Sequence, residues 1–404
     1  MKKLKLIFAS APDFSGNAKA MYEFINKNYK GKYELILIIN DQNFAKKNGD
    51  KFNYCMFDKC KDVVESADVV FDTHGILLDY VTEKQIYVNL WHGQGPKKAG
   101  FFFEYNNMAP GDIDYCKKMS EKIDINTVTS ELWRVIFSSL WDININKVIP
   151  TGQPRNDILI NSDGKKNLCK LLDKKVDKYK KIIFYLPTFR VGINRVESSL
   201  VNNNNLFLKE YDENKLITYL ESNNYLLVIK KHPSEETILP EIKSENIVYL
   251  KESDMNYKCI SLYDILNSAD LLLTDYSSVY IDYLILDRPV LFLNYDKKQF
   301  INNRGFIFDN LDFWCPGPQI STIEQLLNDI TWCFKNKDFY SKERQEFRKL
   351  MYKYFDNNSS QRLYDYIFKD GKINCDLYDK NICQKRKNKI IEIIDKIRLK
   401  KGGE

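Results

Sequence analysis

The chain has 404 residues, 44% of them hydrophobic, and a formal net charge of +6 at pH 7. This length is sufficient for two hydrophobic cores, and no stretch contains the roughly 18 to 20 apolar residues that cross a bilayer. The nine cysteines form no C-x-x-C pairs, and only three histidines are present. We therefore expect reduced thiols, no structural zinc site and no other protein-bound metal.

The positive charge is concentrated near the carboxyl terminus. Residues 385–401 hold eight basic and two acidic side chains, a surplus equal to the net charge, so the rest of the chain is neutral. Ile390, Ile394 and Ile397 recur there at helical spacing, with charges on the other face. Such a segment can lie on an anionic membrane surface or pack on a domain or a protein partner. We predict a basic amphipathic, membrane-associating tail over residues 373–404 and no nucleic-acid binding.

Short apolar runs alternate with polar stretches of helix length, first along one half of the chain and then along the other. The predicted strands cover residues 4–9, 33–39, 69–73, 86–90, 126–129, 148–151, 182–186, 226–229, 247–250, 271–274 and 290–294. This rhythm is typical of parallel sheets with helical crossovers. A lysine-rich stretch at residues 165–181 shows little apolar periodicity and is predicted to be the interdomain linker.

The fold class that follows is α/β, with two Rossmann-like parallel-sheet domains facing a central cleft. We predict a first domain over residues 1–165 and a second over residues 166–345. Residues 346–372 are predicted to form helices that cross back to the first domain, ahead of the basic tail.

In open parallel sheets, ligands bind beyond the carboxyl ends of the strands. The segments that follow the predicted strands are polar, basic or turn-forming, and they cover residues 13–17, 72–75, 92–98, 151–157, 187–190, 230–233 and 274–278. A purely structural fold would not need such groups at one edge of both sheets. The sequence therefore predicts a charged, phosphate-like ligand in the cleft.

One histidine, His92, stands directly after a predicted strand and is followed by Gly93, Gly95, Lys97 and Lys98. The glycines let substrate and backbone approach closely, and the lysines bring positive charge. Histidine titrates near neutral pH, which suits proton abstraction. The alternative is a histidine that caps a turn through a hydrogen bond. We predict that His92 is catalytic.

A second histidine, His232, follows Lys230 and Lys231 at another strand end, where Pro233 stops the ladder. A histidine and lysines there could hold a pyrophosphate and stabilise charge on a leaving phosphate. Either lysine alone could equally be a solvated side chain. We predict a catalytic role for His232 and a donor-phosphate contact for Lys231.

Residues 274–278 run from a buried strand into a predicted helix, with the sequence Thr-Asp-Tyr-Ser-Ser. Free backbone N–H groups at a helix start, together with serine hydroxyls, form an anion site. Simple N-capping would explain one serine or aspartate but not the whole polar run. We predict that Thr274, Asp275, Ser277 and Ser278 bind phosphate.

Five further positions carry weaker signals. Arg155 and Arg190 follow prolines in tight turns, where a guanidinium suits phosphate oxygens but also an interdomain carboxylate. His74 is a lone histidine, and lone histidines are more often structural. We keep His74 as a candidate contact to a substrate. Gly16 and Asn17 follow the first strand, where a glycine permits close approach of that substrate or serves only the turn.

Six motifs in this order and spacing resemble the CDP-glycerol glycerophosphotransferase family of teichoic acid synthesis across residues 1–350. They are Trp91-His92-Gly93, Gly152-x-Pro154-Arg155-Asn156-Asp157, Tyr185-x-Pro187-Thr188-x-Arg190, Lys231-His232-Pro233, Thr274-Asp275-Tyr276-Ser277-Ser278, and Arg304-Gly305-Phe306 followed by Pro316-Gly317-Pro318. The resemblance implies a GT-B fold in which the first domain binds the acceptor and the second binds the CDP-alditol. Each motif alone is weakly specific, and the six together are strongly so.

The activity that the resemblance implies is transfer of glycerol phosphate from CDP-glycerol to a hydroxyl of a lipid-linked or glycan acceptor, with release of CMP. The polymer would be teichoic acid or a related capsule or cell-wall polymer, and relatives use CDP-ribitol. The resemblance also implies a cytoplasmic enzyme, peripheral on the inner face of the bacterial membrane. The family's two essential histidines correspond to His92 and His232, and its phosphate-binding hydroxyls to Ser277 and Ser278.

The residues then divide between two substrates. The donor side comprises Lys231, Thr274, Asp275, Ser277, Ser278, Arg190 and Arg155, and the acceptor side comprises Gly16, Asn17, His74, Lys97 and Lys98. In the expected mechanism His92 deprotonates the acceptor hydroxyl, while His232 and the serines stabilise charge as CMP leaves. We expect no tightly bound cofactor, and Mg²⁺ is compatible with this chemistry but not required.

Two other functions fit the same sequence. A GT-B glycosyltransferase would use a nucleotide sugar, and it would need a carboxylate near the last strands to hold the ribose, for which Asp282 and Glu324 are the candidates. A non-catalytic lipid- or polysaccharide-binding scaffold would be tethered by the basic tail, but it would not need a pair of cleft histidines. The sequence decides neither the alditol nor the oligomeric state.

Overall fold

The computed structural model describes residues 3–103, 108, 110–188, 206, 208–231, 241–294, 296–303, 305–336, 339–374 and 377. Among the predicted site residues, Arg190 and His232 lie outside these ranges. The predicted basic tail also lies outside them, apart from residues 373, 374 and 377.

The first half of the chain forms a seven-stranded parallel sheet in the order β3-β2-β1-β4-β5-β6-β7. Its strands are β1 (Lys5–Ala9), β2 (Glu34–Ile39), β3 (Tyr54–Met56), β4 (Val69–Asp72), β5 (Ile86–Asn89), β6 (Ile125–Thr127) and β7 (Val148–Ile149). The register pairs Ile7 with Ile36 on one side and with Val70 on the other. These strands are nearly continuous apolar runs because both faces of a parallel sheet are covered.

The second half repeats the same topology with six parallel strands in the order β10-β9-β8-β11-β12-β13. They are β8 (Lys181–Leu186), β9 (Tyr225–Ile229), β10 (Ile247–Tyr249), β11 (Leu271–Thr274), β12 (Val290–Leu293) and β13 (Gln319–Ile320). The strand order reverses direction between β1 and β4 in the first sheet and between β8 and β11 in the second. Ligands bind at such switch points, so each sheet offers one crevice at a defined place.

Helices connect and cover the strands. They are α1 (Gly16–Asn28), α2 (Gln42–Asn48), α3 (Lys61–Glu65), α4 (Pro110–Lys122), α5 (Glu131–Trp141), α6 (Pro154–Asn161), α7 (Gly164–Leu172), α8 (Glu213–Asn223), α9 (Glu252–Lys258), α10 (Leu262–Ile265), α11 (Val279–Tyr283), α12 (Lys297–Asn303), α13 (Leu311–Trp314), α14 (Ile323–Lys335), α15 (Ser341–Met351) and α16 (Ser359–Ile367). A small hairpin of β14 (Phe368–Lys369) and β15 (Lys372–Ile373) follows α16.

Three apolar clusters hold this arrangement together. One is continuous between the two sheets and joins residues such as Val70 of β4 to Phe184 of β8. A second covers the opposite face of the first sheet, and a third covers the opposite face of the second sheet. Because the first cluster is shared, the two sheets are held facing each other by buried apolar contact as well as by polar pairs.

Among the helices listed above, α16 comes last in sequence, and it packs on the first domain rather than on the second, which precedes it. Leu363 and Ile367 are buried in the outer cluster of the first sheet. The Tyr364 ring stacks on Tyr29 with centroids 3.9 Å apart, and its hydroxyl lies 2.7 Å from that of Tyr33. The chain therefore returns to its starting domain, although the exact domain limits stay a prediction.

The structure differs from the sequence-based prediction at several elements. The lysine-rich stretch at 165–181 is not a bare linker, since α7 occupies its first half and buries Leu168 and Leu171. The short strands β3 and β13 were not predicted, because their few residues lack a clear apolar run. All eleven predicted strands are present, with ends that differ by up to two residues.

Candidate active site

A cavity of about 270 Å³ lies between the two sheets, at the carboxyl ends of the strands. The first domain contributes residues from the turns after β1, β4 and β5 and from α6, including Gly16, Thr73, His74, His92 and Arg155. The second domain contributes Lys230, Glu252, Tyr263, Ser278 and Val279, among others. Both switch-point crevices therefore open into one interdomain cavity.

The backbone at Trp91 is strained where it presents His92 to this cavity. Trp91 has φ +52°, a left-handed conformation that is costly for a bulky residue. The conformation is fixed because the Trp91 N–H donates to Asn89 Oδ1 at 3.0 Å, and its ring packs 4.9 Å from that of Trp141. Such strain persists only where the surroundings determine it, and here it directs the next residue into the cleft.

The hydrogen bonds of His92 define which ring nitrogen is free. Nδ1 lies 3.2 Å from the backbone carbonyl oxygen of Thr73. A carbonyl only accepts, so a neutral His92 carries its proton on Nδ1 and leaves the lone pair on Nε2. His92 is exposed to the cleft. This arrangement is what a general base requires.

A second imidazole lies directly on the first. The rings of His74 and His92 are parallel to within 4°, with centroids 4.0 Å apart. The Asp72 carboxylate holds the turn that carries His74, because it accepts from the N–H groups of His74, Gly75 and Leu77 at 2.8, 3.0 and 2.8 Å. His74 Nδ1 also lies 2.6 Å from the Thr73 hydroxyl. The structure thus places His74 against the predicted base.

Both imidazoles are neutral at physiological pH. Desolvation by the protein packed around the ring lowers the pKa of His92 well below its usual value, and His74, Arg155 and Lys97 lower it further against the opposing Thr73 hydrogen bond. Burial, followed by the charge of Arg155, lowers the pKa of His74 to about 4. Two stacked rings cannot easily carry two charges, so each disfavours protonation of the other.

The glycines after His92 make room for the second domain. A Cβ atom at Gly93 would collide with the Ser278 hydroxyl, and one at Gly95 would lie 2.9 Å from the Ser278 Cβ. The segment with the predicted base and the segment with the predicted phosphate hydroxyls are therefore in contact. A residue with any side chain at Gly93 or Gly95 would push the domains apart.

The predicted phosphate segment divides into structural and cleft-facing members. Thr274 is fully buried and donates its hydroxyl to the Leu186 carbonyl at 2.7 Å. Asp275 is also buried, and its carboxylate accepts from the Thr188 N–H at 2.9 Å, the Thr188 hydroxyl at 2.6 Å and the Ser277 N–H at 3.1 Å. The Thr274 and Asp275 side chains therefore tie the turn after β8 to the turn after β11, and their donor contacts stay a prediction.

Ser277 and Ser278 are half-buried, and Ser278 lines the cavity. The Ser278 side chain makes no capping hydrogen bond with α11. This helix has only five residues before a 3₁₀ turn, so its dipole is weaker than the sequence suggested. The serine hydroxyls remain the polar groups that this turn presents to the cleft.

Two partners were proposed from sequence for Arg155, a phosphate or an interdomain carboxylate. The structure shows it bound to an interdomain carboxylate. Its Nη2 lies 2.6 Å from Asp282 Oδ2, and both side chains are only 4% exposed. Its Nη1 donates to the His92 carbonyl at 2.6 Å, and the guanidinium lies over the Tyr263 ring. Nη1 and Nη2 thus join both domains to the His92 backbone, and the donor-phosphate contact of Arg155, which lines the cavity, stays a prediction.

Asn17 also has a structural role that its predicted acceptor contact does not describe. Its Nδ2 donates to the carbonyls of Leu90 and Trp91 at 3.0 and 2.8 Å, and its Oδ1 accepts from the Arg155 N–H at 3.0 Å. The side chain is 1% exposed, although Asn17 is among the residues that line the cavity, and its acceptor contact stays a prediction. Gly16, with φ +52°, does line the cavity.

Lys97 and Lys98 lie at the domain contact. Lys97 forms an antiparallel bridge with Phe306, and the Lys98 N–H donates to the Gly305 carbonyl at 3.2 Å. A Cβ atom added to Gly305 would lie 3.2 Å from Lys98 Cδ, so the Lys98 side chain runs beside Gly305. Their backbones therefore pin the His92 segment to the second domain, and the acceptor contacts of their side chains stay a prediction.

On the donor side, Lys230 lines the cavity and pairs with Glu252 at 2.7 Å. Lys231 is 7% exposed, with its ammonium over the Tyr249 ring. Sequence reasoning missed Glu252, Tyr263 and the Lys19–Asp264 pair, which joins α1 to α10 at 3.0 Å. These residues lie in helices, whereas site residues were predicted from the polar segments that follow strands.

The described part of the chain contains neither a metal-binding group of side chains nor a membrane-spanning helix. Within those residues, no group of three or more His, Cys, Asp or Glu side chains could hold a metal ion. Over the same ranges, no helix is long and apolar enough to cross a membrane.

The model of the CDP-glycerol:poly(glycerophosphate) glycerophosphotransferase family matches residues 1–369. The chain belongs to this family. It is 33% identical over 282 residues to the teichoic acid glycerol-phosphate primase of Bacillus subtilis (strain 168), covering 69% of this chain and 67% of that protein. It is 26% identical over 367 residues to the teichoic acid ribitol-phosphate polymerase TarL of Staphylococcus aureus (strain NCTC 8325 / PS 47), covering 89% of this chain and 61% of TarL.

Solved structures place this glycerophosphotransferase family member in the GT-B fold. A structure of the wall teichoic acid polymerase TagF superimposes with a TM-score of 0.73 at 22% identity, covering 95% of this chain and 90% of that one. The UDP-GlcNAc 2-epimerase of Neisseria meningitidis gives 0.53 at 13% identity, with 90% and 99% covered. The predicted fold and family are confirmed, and the fold alone is compatible with different chemistries.

Proposed function

We propose that the chain transfers glycerol phosphate from CDP-glycerol to a hydroxyl of a lipid-linked or glycan acceptor, releasing CMP, in the synthesis of teichoic acid or a related capsule or cell-wall polymer. The observation that carries this proposal is the His92 ring, which lines the interdomain cavity with Nδ1 3.2 Å from the Thr73 carbonyl oxygen, so that Nε2 can accept the acceptor proton. Membership of the glycerophosphotransferase family supports the same reaction class.

The proposed step is an in-line displacement at phosphorus. The acceptor oxygen forms a bond to the glycerol-bearing phosphorus while its proton passes to His92 Nε2. The bond from that phosphorus to the bridging pyrophosphate oxygen breaks, and CMP leaves with the electron pair. Negative charge grows on the leaving phosphate, where hydroxyls and cations stabilise it.

Donor binding is assigned to the second domain. Ser278 lies in the cavity beside the His92 segment, which supports a role for the Ser277 and Ser278 hydroxyls at the pyrophosphate. Lys231, His232 and Arg190 complete the proposed donor site on the strength of the sequence motifs. These groups could supply the positive potential themselves, so we propose a reaction in which Mg²⁺ is not essential.

A nucleotide-sugar glycosyltransferase is less well supported. The Asp282 carboxylate, one candidate for a ribose contact, is buried and hydrogen-bonded to Arg155 and Tyr263 at 2.6 and 2.7 Å. Glu324, the other candidate, is exposed in the first turn of α14 and does not line the cavity. CDP-ribitol remains a specific second candidate donor, since similar proteins include ribitol-phosphate polymerases.

The donor is tested with purified protein, a lipid-linked glycan acceptor, and CDP-glycerol, CDP-ribitol or UDP-sugars in turn. We expect CMP release from CDP-glycerol and a gain of glycerol phosphate in the acceptor mass. CMP release from CDP-ribitol alone would replace glycerol by ribitol, and UDP release would overturn the proposal. Binding of acceptor without turnover of any donor would favour the scaffold function, and His92→Gln controls for contaminating activity.

Location is a further part of the proposal. We propose that the protein is cytoplasmic and binds the inner face of the membrane through its basic tail, where a lipid-linked acceptor would be found. Flotation with phosphatidylglycerol vesicles tests this, with a variant truncated after residue 377 as the control. Equal flotation of the two proteins would remove the tail from the proposal.

A further inference from the structure

His74 is the one described histidine for which the proposed reaction has no step. It stands on the turn after β4, at the switch point of the first sheet, and its ring lies on that of His92 with centroids 4.0 Å apart. A parallel contact at this distance opposes tilting of the His92 ring, because a tilted ring would collide with a neighbour that cannot move aside.

The turn that carries His74 is held more firmly than a surface loop requires. Asp72 is fully buried and accepts three backbone N–H groups of this turn, and the Tyr87 hydroxyl donates to it at 3.0 Å. The Tyr115 hydroxyl donates to the His74 carbonyl at 3.1 Å. Gly75 has φ +69° and no space for a Cβ, which would lie 2.9 Å from Tyr115.

The same turn also supplies the hydrogen bond that selects the His92 tautomer. The Thr73 carbonyl faces His92 Nδ1 at 3.2 Å, and the Thr73 hydroxyl faces His74 Nδ1 at 2.6 Å. A long bond of 3.2 Å is weak by itself, so ring orientation must be maintained by packing as well. The ring of His74, the residue next to Thr73 in the chain, provides that packing.

We propose that His74 is a positioning residue, whose stacked ring holds the plane of the His92 ring so that Nδ1 faces the Thr73 carbonyl and Nε2 is directed into the cleft. This inference rests on the proposed role of His92 as the base, and it replaces the acceptor contact expected from sequence. The aromatic ring of His74 performs the task, and its own proton does not take part in the transfer.

Charges around the pair favour the neutral form of both rings. Arg155 from α6 and Lys97 from the segment after β5 lie near His92, and Arg155 also lies near His74. The Asp72 carboxylate is directed to backbone N–H groups of its own turn. Removal of the His74 ring admits water to His92, so protonation of His92 is expected at higher pH without it.

The direct test is imidazole ¹⁵N NMR on histidine-labelled protein, which is feasible because the chain has only three histidines. The His92→Gln, His74→Phe and His232→Ala variants assign the signals. In the wild type we expect a single Nδ1-protonated tautomer for His92 across neutral pH. In His74→Ala we expect mixed tautomers and an upward shift of the His92 titration, whereas His74→Phe, which retains an aromatic ring, keeps the single tautomer.

Kinetics gives the second readout. We expect His74→Ala to lower kcat about 10- to 100-fold with the KM of the acceptor unchanged, because the base is misplaced while the binding site remains. His74→Phe should recover most of that loss. His74→Gln, which has no ring, replaces the alanine variant if that protein does not fold, and it should behave in the same way.

The outcomes separate this inference from the proposed function. An unchanged His92 spectrum in both His74→Ala and His74→Gln would overturn the positioning role, even if transfer activity is present. A raised acceptor KM in both His74→Ala and His74→Phe, with the spectrum unchanged, would restore the acceptor contact. A protein that turns over no CDP-alditol, yet shows the expected spectra, would fail the proposed function and leave the positioning geometry established.

Discussion

The turns that meet at the cavity are built differently in the two domains. In the first domain, buried acceptors fix the backbone after β4 and β5, and the strained Trp91 directs a single ring into the cleft. In the second domain, the Thr274 and Asp275 side chains join the turns that follow the strands, and Ser278 lines the cavity. One side therefore presents His92, the proposed base, on a fixed backbone, while the other presents groups whose position depends on contact between the domains.

This difference indicates how the two halves share the chemistry. A base must be oriented before substrate arrives, because misplacement by about 1 Å can cost 100-fold in rate. A phosphate site can be completed by closure, since several weak donors surround the anion from different elements. The glycines beside His92 allow the two to approach, and Arg155 links the His92 backbone to the second domain.

Loss of the base is the largest expected effect. Replacement of His92 by Ala should lower kcat about 10²- to 10⁴-fold, because proton transfer from the acceptor hydroxyl loses its catalyst. Binding of the CDP-alditol, measured by calorimetry, should change little. A turnover equal to that of the wild type would exclude His92 as the base.

Loss of one partner of the buried interdomain pair should have the next largest effect. Asp282→Ala leaves Arg155 charged and buried without its carboxylate, and we expect a loss of about 3–5 kcal/mol in the free energy of unfolding. The double variant Arg155→Met, Asp282→Leu should recover much of this loss. Urea denaturation measures both, and Glu245→Ala, which breaks an exposed pair with Lys178, is the matched control and should show no measurable change.

The close contact between Gly93 and Ser278 can be tested by substitution. Gly93→Ala should cost about 1–3 kcal/mol of stability, because the new methyl group meets the Ser278 hydroxyl. The Ser278→Gly background should remove that cost, so a double-mutant cycle identifies the contact. Gly111→Ala is the control, since nothing lies within 4 Å of the added Cβ. Equal losses with and without Ser278 would show that Gly93 is constrained by something else.

A further expected effect concerns the pH dependence of stability. Burial holds the pKa of His74 at about 4, below that of the unfolded chain near 6.5. The unfolded state therefore binds the proton first, and stability should fall as pH drops from about 6.5 towards 4. Thermal melts of the wild type and His74→Phe across this range should differ progressively, with the variant losing less. Parallel curves would show that His74 titrates normally.

Much of the fold could be predicted from sequence because its signals are local. Parallel strands buried on both faces are apolar runs in the sequence. Eleven of them, including Leu271–Thr274, are predicted from these runs. The strands β3 and β13 have only three and two residues, too few for such a run. α7 was missed because its buried leucines are surrounded by lysines.

The site was predictable in part for the same reason. His92 and Ser278 follow strands and carry their signal beside them in the chain. Arg155 and Asn17 also follow strands, but their partners, Asp282 and the Trp91 carbonyl, are distant in sequence, so a ligand contact and a structural bond could not be distinguished. The stacking of His74 on His92 depends on β4 and β5 being neighbours in the sheet.

The return of α16 to the first domain determines where the end of the chain is attached. Leu377 is buried in the outer cluster of the first sheet, beside α16 and far in sequence from that domain. Any membrane contact made by the residues that follow would therefore act as an anchor on the first domain, the half proposed to bind the acceptor. The second domain would then be held near the membrane through its buried contacts with the first.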